Sequence, residues 1–391
     1  MQLRLQNCEA QARGVSSPGP QLSRAPVGRG RGEGNLARPD SGERRRYLFE
    51  PPAAAGEAFV RCCPLRKLTD NEENHRYSNL KDASWIMGQT VCICSRGTIT
   101  IDNKRYFFIQ KLDEGGFSYV DLVESVQNGK FYALKRIICH DKEDRKNVLN
   151  EMEMHRMFNH PNILHLEAHC IMDKGPKCEG WLLLPYIKNG SLWTELEKLR
   201  DTNCSMPEEC ILKVFHGICG GLKAIHEKGY AHRDLKPTNV LLDDNGQPLL
   251  MDLGSMNKAR IEVKGSREAM TIQDWAAQRC TISYRAPELF NVASHCIIDE
   301  RTDIWSLGCV LYAMMFLEGP YDGIFHRGDS VALAVQNEIT IPEGCRYSQA
   351  LQHLLTSTMV TNPQERPNIT WVLNQTKQLL QIEAVEESKL A

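Results

Sequence analysis

The chain carries 391 residues, with 47 Lys and Arg against 49 Asp and Glu, a formal charge of -2. A charge so near zero argues against a protein held to nucleic acid by phosphate neutralisation, so no nucleic-acid partner is expected. No apolar run approaches the ~18–20 residues of a bilayer span, and residues 1–30 lack the apolar core of a secretory leader. The 15 cysteines form no CxxC pair and no regular framework, so free thiols are expected rather than disulfides or zinc.

Residues 1–86 are rich in Pro, Gly and Arg, from Gly14 to Gly34 and again at Arg44-Arg45-Arg46 and Pro51-Pro52. They show no sustained period, and a disordered extension is expected there rather than a basic interaction arm. From Arg105 onward the pattern is that of packed protein. Phe107 to Lys111, Tyr119 to Glu124 and Phe131 to Ile137 read as short strands, separated by Gly115-Gly116 and Asn128-Gly129. Lys142 to Phe158 reads as a polar helix stopped by His160-Pro161-Asn162. Ser205 and Glu208 are expected to form a capping box ahead of a helix whose face is Ile211, Phe215, Ile218, Leu222 and Ile225, ending at Gly229. Trp305 to Met315 is apolar nearly all round and predicts a buried helix. Strands with one helix followed by mostly helices make an α+β body of two lobes with a cleft between them.

The chemistry is concentrated in His232-Arg233-Asp234-Leu235-Lys236-Pro237-Thr238-Asn239, followed at the distance of a short hairpin by Asp252 in Met251-Asp252-Leu253-Gly254. A single Asp or Asn in a loop is ordinarily a turn residue. An eight-residue string with a second acid at this spacing is the protein-kinase pattern HRDxxxxN…D[FL]G. Residues 105–375 resemble a eukaryotic serine/threonine protein kinase. The resemblance implies a β-rich N-lobe (about 105–186), a helical C-lobe (about 187–375) and a C-terminal tail (376–391). It also implies ATP and magnesium as cofactors and proteins as substrates, with a monomer expected.

By the same resemblance, Leu112, Asp113, Glu114, Gly115, Gly116, Phe117, Ser118, Tyr119 and Val120 stand where the glycine-rich loop covers ATP. Lys135 would hold the α- and β-phosphates and Glu151 would orient Lys135. Leu184, Pro185 and Ile187 would form the hinge, with Leu184 as gatekeeper and the Ile187 N–H bonding adenine. Asp234 would accept the substrate proton and Lys236 would neutralise the transferring phosphate. Asn239 and Asp252 would hold the metal ions through oxygen. Glu288 would pair with Arg366, and Asp303 would brace the catalytic loop. Lys236 and Thr281 mark the serine/threonine branch. Asp113 replaces the first glycine of the loop; its carboxylate is expected to repel the triphosphate and raise the KM for ATP, so that Asp113→Gly lowers it, with a solvent-facing side chain of little effect as the second reading. The presence of Lys135, Glu151, Asp234, Asn239 and Asp252 together argues against the alternative of a pseudokinase-like scaffold that binds partners without catalysis.

The stretches from Asp274 to Glu288 and from Ile298 to Tyr312 are similar to those of the Numb-associated kinase family, and most of all to its small acylated member. That resemblance directs attention to Met87-Gly88-Gln89-Thr90-Val91-Cys92-Ile93-Cys94-Ser95. A chain started at Met87 would expose Gly88 for myristoylation, although Cys92 or Ile93 stands at the usual Ser/Thr position. Cys92 and Cys94 are palmitoylation candidates beside the same membrane surface. With residues 1–86 retained Gly88 is internal, so that extension reads as an alternative start or a gene-model artefact, and 87–104 as a lipidation segment and linker. The expected location is the cytoplasmic face of Golgi and perinuclear membranes, or the cytosol if the extension is retained. Autophosphorylation is expected between Asp252 and Glu288, with Thr271, Ser283 and Tyr284 as candidates and Thr271 first.

Overall fold

The computed structural model describes residues 97–115, 118–174 and 177–390. The expectations placed on residues 1–86, on Gly88, Cys92 and Cys94, and on Gly116 and Phe117 lie outside them.

The N-terminal lobe is one antiparallel sheet of β1 (Thr98–Ile101), β2 (Lys104–Glu114), β3 (Ser118–Ser125), β4 (Phe131–Cys139), β5 (Ala168–Lys174) and β6 (Lys177–Pro185), in the order β1-β2-β3-β4-β6-β5. Helix α1 (Lys142–Met157) lies between β4 and β5 in the chain. Its first turn is closed by Asp141, whose Oδ1 accepts from the N–H groups of Glu143 and Asp144 at 2.9 and 2.8 Å. The apolar run Trp181 to Leu184 is explained by coverage of both sheet faces, since alternate strand residues point to opposite sides. Trp181 and Leu183 pack with Ile101, Tyr106, Val123 and Leu134. Leu182 and Leu184 pack with Val148 and Met152 of α1.

Two sequence boundaries shift here. The sheet begins at Thr98, inside the stretch expected to be a linker, because Ile101 is a core residue, only 1% exposed, paired through Lys104 across a tight turn. At the other end, the boundary expected at 375/376 falls within a helix, because Thr376 is fully buried and its hydroxyl donates to the Val372 carbonyl at 2.9 Å.

The C-terminal lobe is built on α2 (Leu192–Asp201), α3 (Glu208–Glu227), α5 (Arg301–Phe316), α8 (Gln349–Thr358) and α9 (Ile369–Leu390), with α4 (Ser266–Arg279) and the short α6 (Asp322–His326) and α7 (Val331–Ala334) outside that frame. The five apolar residues read as one face of α3 are all fully buried, and α5 is buried nearly all round. The expected capping box does not form. Helix α3 starts after Pro207 with no side-chain cap. Ser205 instead accepts from the Arg346 guanidinium, and the Glu208 carboxylate accepts from the Ser348 N–H and hydroxyl. Longer-range partners from the approach to α8 have taken both groups.

Between the lobes the chain makes β7 (Tyr230–Ala231), then the hairpin β8 (Val240–Leu242) and β9 (Pro248–Leu250). The segment from Asp252 to Glu288 is not a simple loop. It contains β10 (Asn257–Lys258), which pairs with β7, and β11 (Ile261–Val263), which pairs with β12 (Cys296–Ile298), followed by α4. Val263, Ala269, Ala276, Cys280, Leu289, Val292 and Ile298 give it a small core of its own.

Candidate active site

The hairpin β8–β9 brings the two halves of the motif together. The Met251 N–H donates to the Asn239 carbonyl at 3.0 Å, so Asn239 and Asp252 emerge side by side from adjacent strand ends. Asp252 adopts φ 59° and ψ 68°, and Arg233 a φ of 67°, both left-handed conformations that cost an L-residue about 1–2 kcal/mol. Their surroundings hold them there. The buried Asp303 carboxylate accepts from the His232 N–H at 2.7 Å, from the Arg233 N–H at 2.8 Å and from His226 Nε2 at 2.9 Å. Burial works against a charge on Asp303, but the His226 contact and the Arg233 guanidinium outweigh it and hold the carboxyl below its ordinary value.

Arg233 itself is buried, and every nitrogen of its guanidinium donates. Nε bonds Asn257 Oδ1 at 2.9 Å, Nη1 bonds the Asp299 carbonyl at 2.9 Å and the Thr302 hydroxyl, and Nη2 bonds the carbonyls of Lys258 and Ala259 at 3.1 and 2.7 Å. One side chain thus ties the catalytic loop to β10 and to the start of α5. Sequence reading assigned it no role, though it stands inside the motif.

Strand β4 and helix α1 deliver the second group. Lys135 Nζ donates to Glu151 Oε1 at 2.8 Å and to Asp252 Oδ1 at 2.7 Å. Burial alone would lower the Lys135 pKa, but the two carboxylates outweigh it and keep the ammonium above its ordinary value. Lys135 in turn draws the Asp252 carboxyl down to about 2. Burial pushes the Glu151 carboxyl up, against the pull of Lys135. Gly254 closes this corner, for a Cβ there would lie 2.8 Å from Glu151 Oε2.

The third group gathers on the catalytic loop. Asp234 Oδ1 accepts from the Thr281 N–H at 2.8 Å and from its hydroxyl at 2.7 Å. Lys236 Nζ stands 2.9 Å from Asp234 Oδ2 and donates to Thr281 Oγ1 at 2.7 Å. The Asn239 amide group donates to the Asp234 carbonyl at 2.8 Å and to Asp234 Oδ2 at 3.2 Å. This brings a carboxylate, an ammonium and a hydroxyl into mutual contact, joined to the Lys135 corner through the β8–β9 hairpin. A model of the protein kinase domain matches residues 106–376.

The chain belongs to the protein kinase family. Serine/threonine-protein kinase 16 of Homo sapiens is 65% identical over 293 residues, covering 75% of this chain and 96% of that protein. Its Mus musculus counterpart is 64% identical over the same shares. Serine/threonine-protein kinase ppk13 of Schizosaccharomyces pombe is 31% identical over 312 residues, 71% of this chain and 91% of that one. The kinase is therefore a serine/threonine-protein kinase with the two-lobed fold, an enzyme that uses ATP and a divalent metal on protein substrates.

The other expected site residues of this kinase fall as follows. Leu112, Asp113 and Glu114 form the exposed end of β2, Gly115 follows it, and Ser118, Tyr119 and Val120 open β3, with Asp113 opposite Val120. Among the described residues of that loop, the Gly115 N–H donates to the Ser118 carbonyl at 2.8 Å and closes the turn. Asp113 Oδ1 accepts from the Glu114 N–H at 2.8 Å and the residue is exposed, which favours the solvent-facing reading over the expected repulsion of the triphosphate. Ser118 stands at the third glycine position of GxGxxG, a departure that a position-by-position reading of the loop would have exposed. Leu184 is buried at the end of β6 opposite Ala133, Pro185 follows opposite Tyr132, and Ile187 packs partly against the same core. Glu288 and Arg366 make the expected ion pair at 2.8 Å. Of the phosphorylation candidates, Ser283 and Tyr284 are buried at 5% and 6% exposure, whereas Thr271 is exposed on α4 with its hydroxyl donating to the Arg267 carbonyl at 2.9 Å.

Proposed function

We propose that this kinase acts at membranes as an acylated member of the Numb-associated family, transferring the γ-phosphate of ATP to Ser and Thr hydroxyls of proteins. The observation that carries the catalytic part is the Thr281 hydroxyl held between Asp234 and Lys236. Phosphoryl transfer passes through a loose transition state, so positioning and charge do most of the work. Asp234 aligns the attacking hydroxyl and takes its proton as the bond to phosphorus forms. Lys236 sits where charge on the transferring group must be met. Lys135, held charged by Glu151, takes the α- and β-phosphates.

The donor set suits magnesium. Asn239 spends its amide N–H groups on Asp234, which leaves its side-chain oxygen for a cation, and the Asp252 side chain is 38% exposed at the cleft. Bound magnesium would neutralise charge on the triphosphate. Phosphate incorporation into a Ser- and Thr-containing protein tests the assignment. Asp234→Ala is expected to lose it, each tenfold loss corresponding to about 1.4 kcal/mol in the barrier. Turnover of that variant at the wild-type rate refutes the role.

Attachment rests on Gly88, Cys92 and Cys94. Acyl burial gains about 0.8 kcal/mol per CH2, so one myristoyl chain binds reversibly and added palmitoyl chains make a stable anchor. A chain started at Met87 is expected on Golgi and perinuclear membranes, its Gly88→Ala variant in the cytosol, and the 391-residue form largely in the cytosol. Fractionating the forms side by side decides it, and equal sedimentation of the long form with membranes rules out Gly88 as the anchor. Thr271, being exposed, is the proposed autophosphorylation site, and phosphopeptide mapping without it removes that part. Ser283 and Tyr284 require the segment to open first.

A further inference from the structure

Cys139 and Cys178 stand directly opposite each other on the antiparallel strands β4 and β6. Residues in that relation share a sheet face and have Cα atoms about 4.5–5.5 Å apart, inside the range of about 4.4–6.8 Å that a disulfide bridges. Both thiols meet the core beneath α1, Cys139 at 2% exposure and Cys178 partly exposed. The next residue of β6 on the same face is Gly180, where a Cβ would come within 2.0 Å of Val148 Cγ1, so α1 lies pressed on the strand pair at this point. Strand β4 also carries Lys135, on the face it shares with Cys139, and Asp141, the cap of α1, follows Cys139 after a single residue.

We propose that Cys139 and Cys178 are a redox modification site, joined as a disulfide by a hydroperoxide oxidant. The partly exposed Cys178 thiol reacts first. Its sulfur attacks one peroxide oxygen, the S–O bond forms as the O–O bond breaks, and hydrogen peroxide leaves water behind. The Cys139 sulfur then attacks the Cys178 sulfenic acid, the S–S bond forms, the S–O bond breaks, and a second water leaves with the Cys139 proton. Two thiols are oxidised and one peroxide is reduced. Burial pushes the Cys139 thiol up to about 11, which disfavours it as the first thiol to meet peroxide and leaves it the second step, where the adjacency of the partner sulfur compensates for its low thiolate fraction. The covalent ring runs from residue 139 to residue 178 and encloses all of α1, including Glu151. Closing a ring removes freedom from the unfolded chain, so the linked form is the more heat-resistant one.

The test treats the full chain with graded hydrogen peroxide, blocks remaining thiols, and maps peptides without reduction, alongside Cys178→Ser. The expected result is a peptide pair joining Cys139 to Cys178, lighter by two hydrogen atoms, reversed by dithiothreitol and absent from Cys178→Ser. An upward shift of the thermal midpoint is expected in the linked wild type and not in the treated variant. Recovery of Cys139 as a blocked free thiol while Cys178 is carried to sulfinic acid, or joined to another cysteine, overturns the proposal.

Discussion

Replacing Thr281 by Val tests the catalytic cluster with little disturbance of shape. The two side chains are close to isosteric, and the Thr281 N–H bond to Asp234 at 2.8 Å is a backbone contact that survives. What disappears is the hydroxyl, which donates to Asp234 Oδ1 at 2.7 Å and accepts from Lys236 Nζ at 2.7 Å. A hydrogen bond to a charged group is worth about 1.5–3 kcal/mol, and here one hydroxyl serves two ions. Their direct contact at 2.9 Å remains, so the loss does not double. Misplacement of Asp234 and Lys236 on that scale lowers kcat by roughly ten- to a hundredfold, at about 1.4 kcal/mol per factor of ten. The KM for ATP should hold, because the Lys135 corner is untouched. Steady-state phosphorylation of a protein substrate reads both constants, and Thr281→Ser should restore most of the rate. A kcat for Thr281→Val within about twofold of wild type, the scatter of an inconsequential substitution, refutes the argument.

Arg366→Leu leaves Glu288 facing a buried space without its partner and is expected to destabilise the fold by about 3–5 kcal/mol in chemical denaturation. Gly254→Ala pushes a methyl against Glu151 Oε2, so Lys135 should lose its orientation and the KM for ATP should rise, measured against an unchanged fold by circular dichroism. Asp113→Gly removes a carboxylate that already faces solvent, and the KM for ATP should stay as it was. The pH response of Asp252 follows from its sign. Its carboxyl is lowered from 3.8 to about 2, so the stabilisation from Lys135 is complete above the unfolded value and fades as pH falls toward 2. The stability difference between wild type and Asp252→Asn should be flat from neutral pH down to about 4 and shrink below it, as followed by denaturant titration at each pH.

The strand–helix order and the whole of the catalytic loop were legible because their signals are local. His232 to Asn239 is one contiguous string, and the hairpin that returns Asp252 is short enough to see in the spacing. The Ser205–Glu208 cap failed for the opposite reason, since Arg346 and Ser348 compete for those groups from about 140 residues away. Helix α4 was missed although Ala269, Ile272 and Ala276 repeat at helical spacing, because the stretch between Asp252 and Glu288 was read for its phosphorylation candidates and not for its periodicity. Strand β1 is only four residues long and reads as strand only beside β2. Lys135 and Asp252 were given separate duties, and nothing in their separation of 117 positions hinted that they bond each other.

That last contact changes how nucleotide affinity should be understood. Lys135 is an ammonium with three N–H donors, of which Glu151 and Asp252 occupy two. One N–H remains for an incoming triphosphate, so contacts to both the α- and β-phosphates must draw Lys135 from Asp252, and the carboxylate so released needs a new counter-charge at the same moment. Binding at this corner is in part an exchange of partners, in which the Lys135–Asp252 ion pair opens as the second phosphate contact closes. Its enthalpy is smaller than a count of phosphate contacts suggests, and its affinity depends steeply on whether a divalent cation arrives with the nucleotide to receive Asp252. A kinase arranged this way would hold metal-free nucleotide weakly and the metal complex well, without any change in the shape of the cleft.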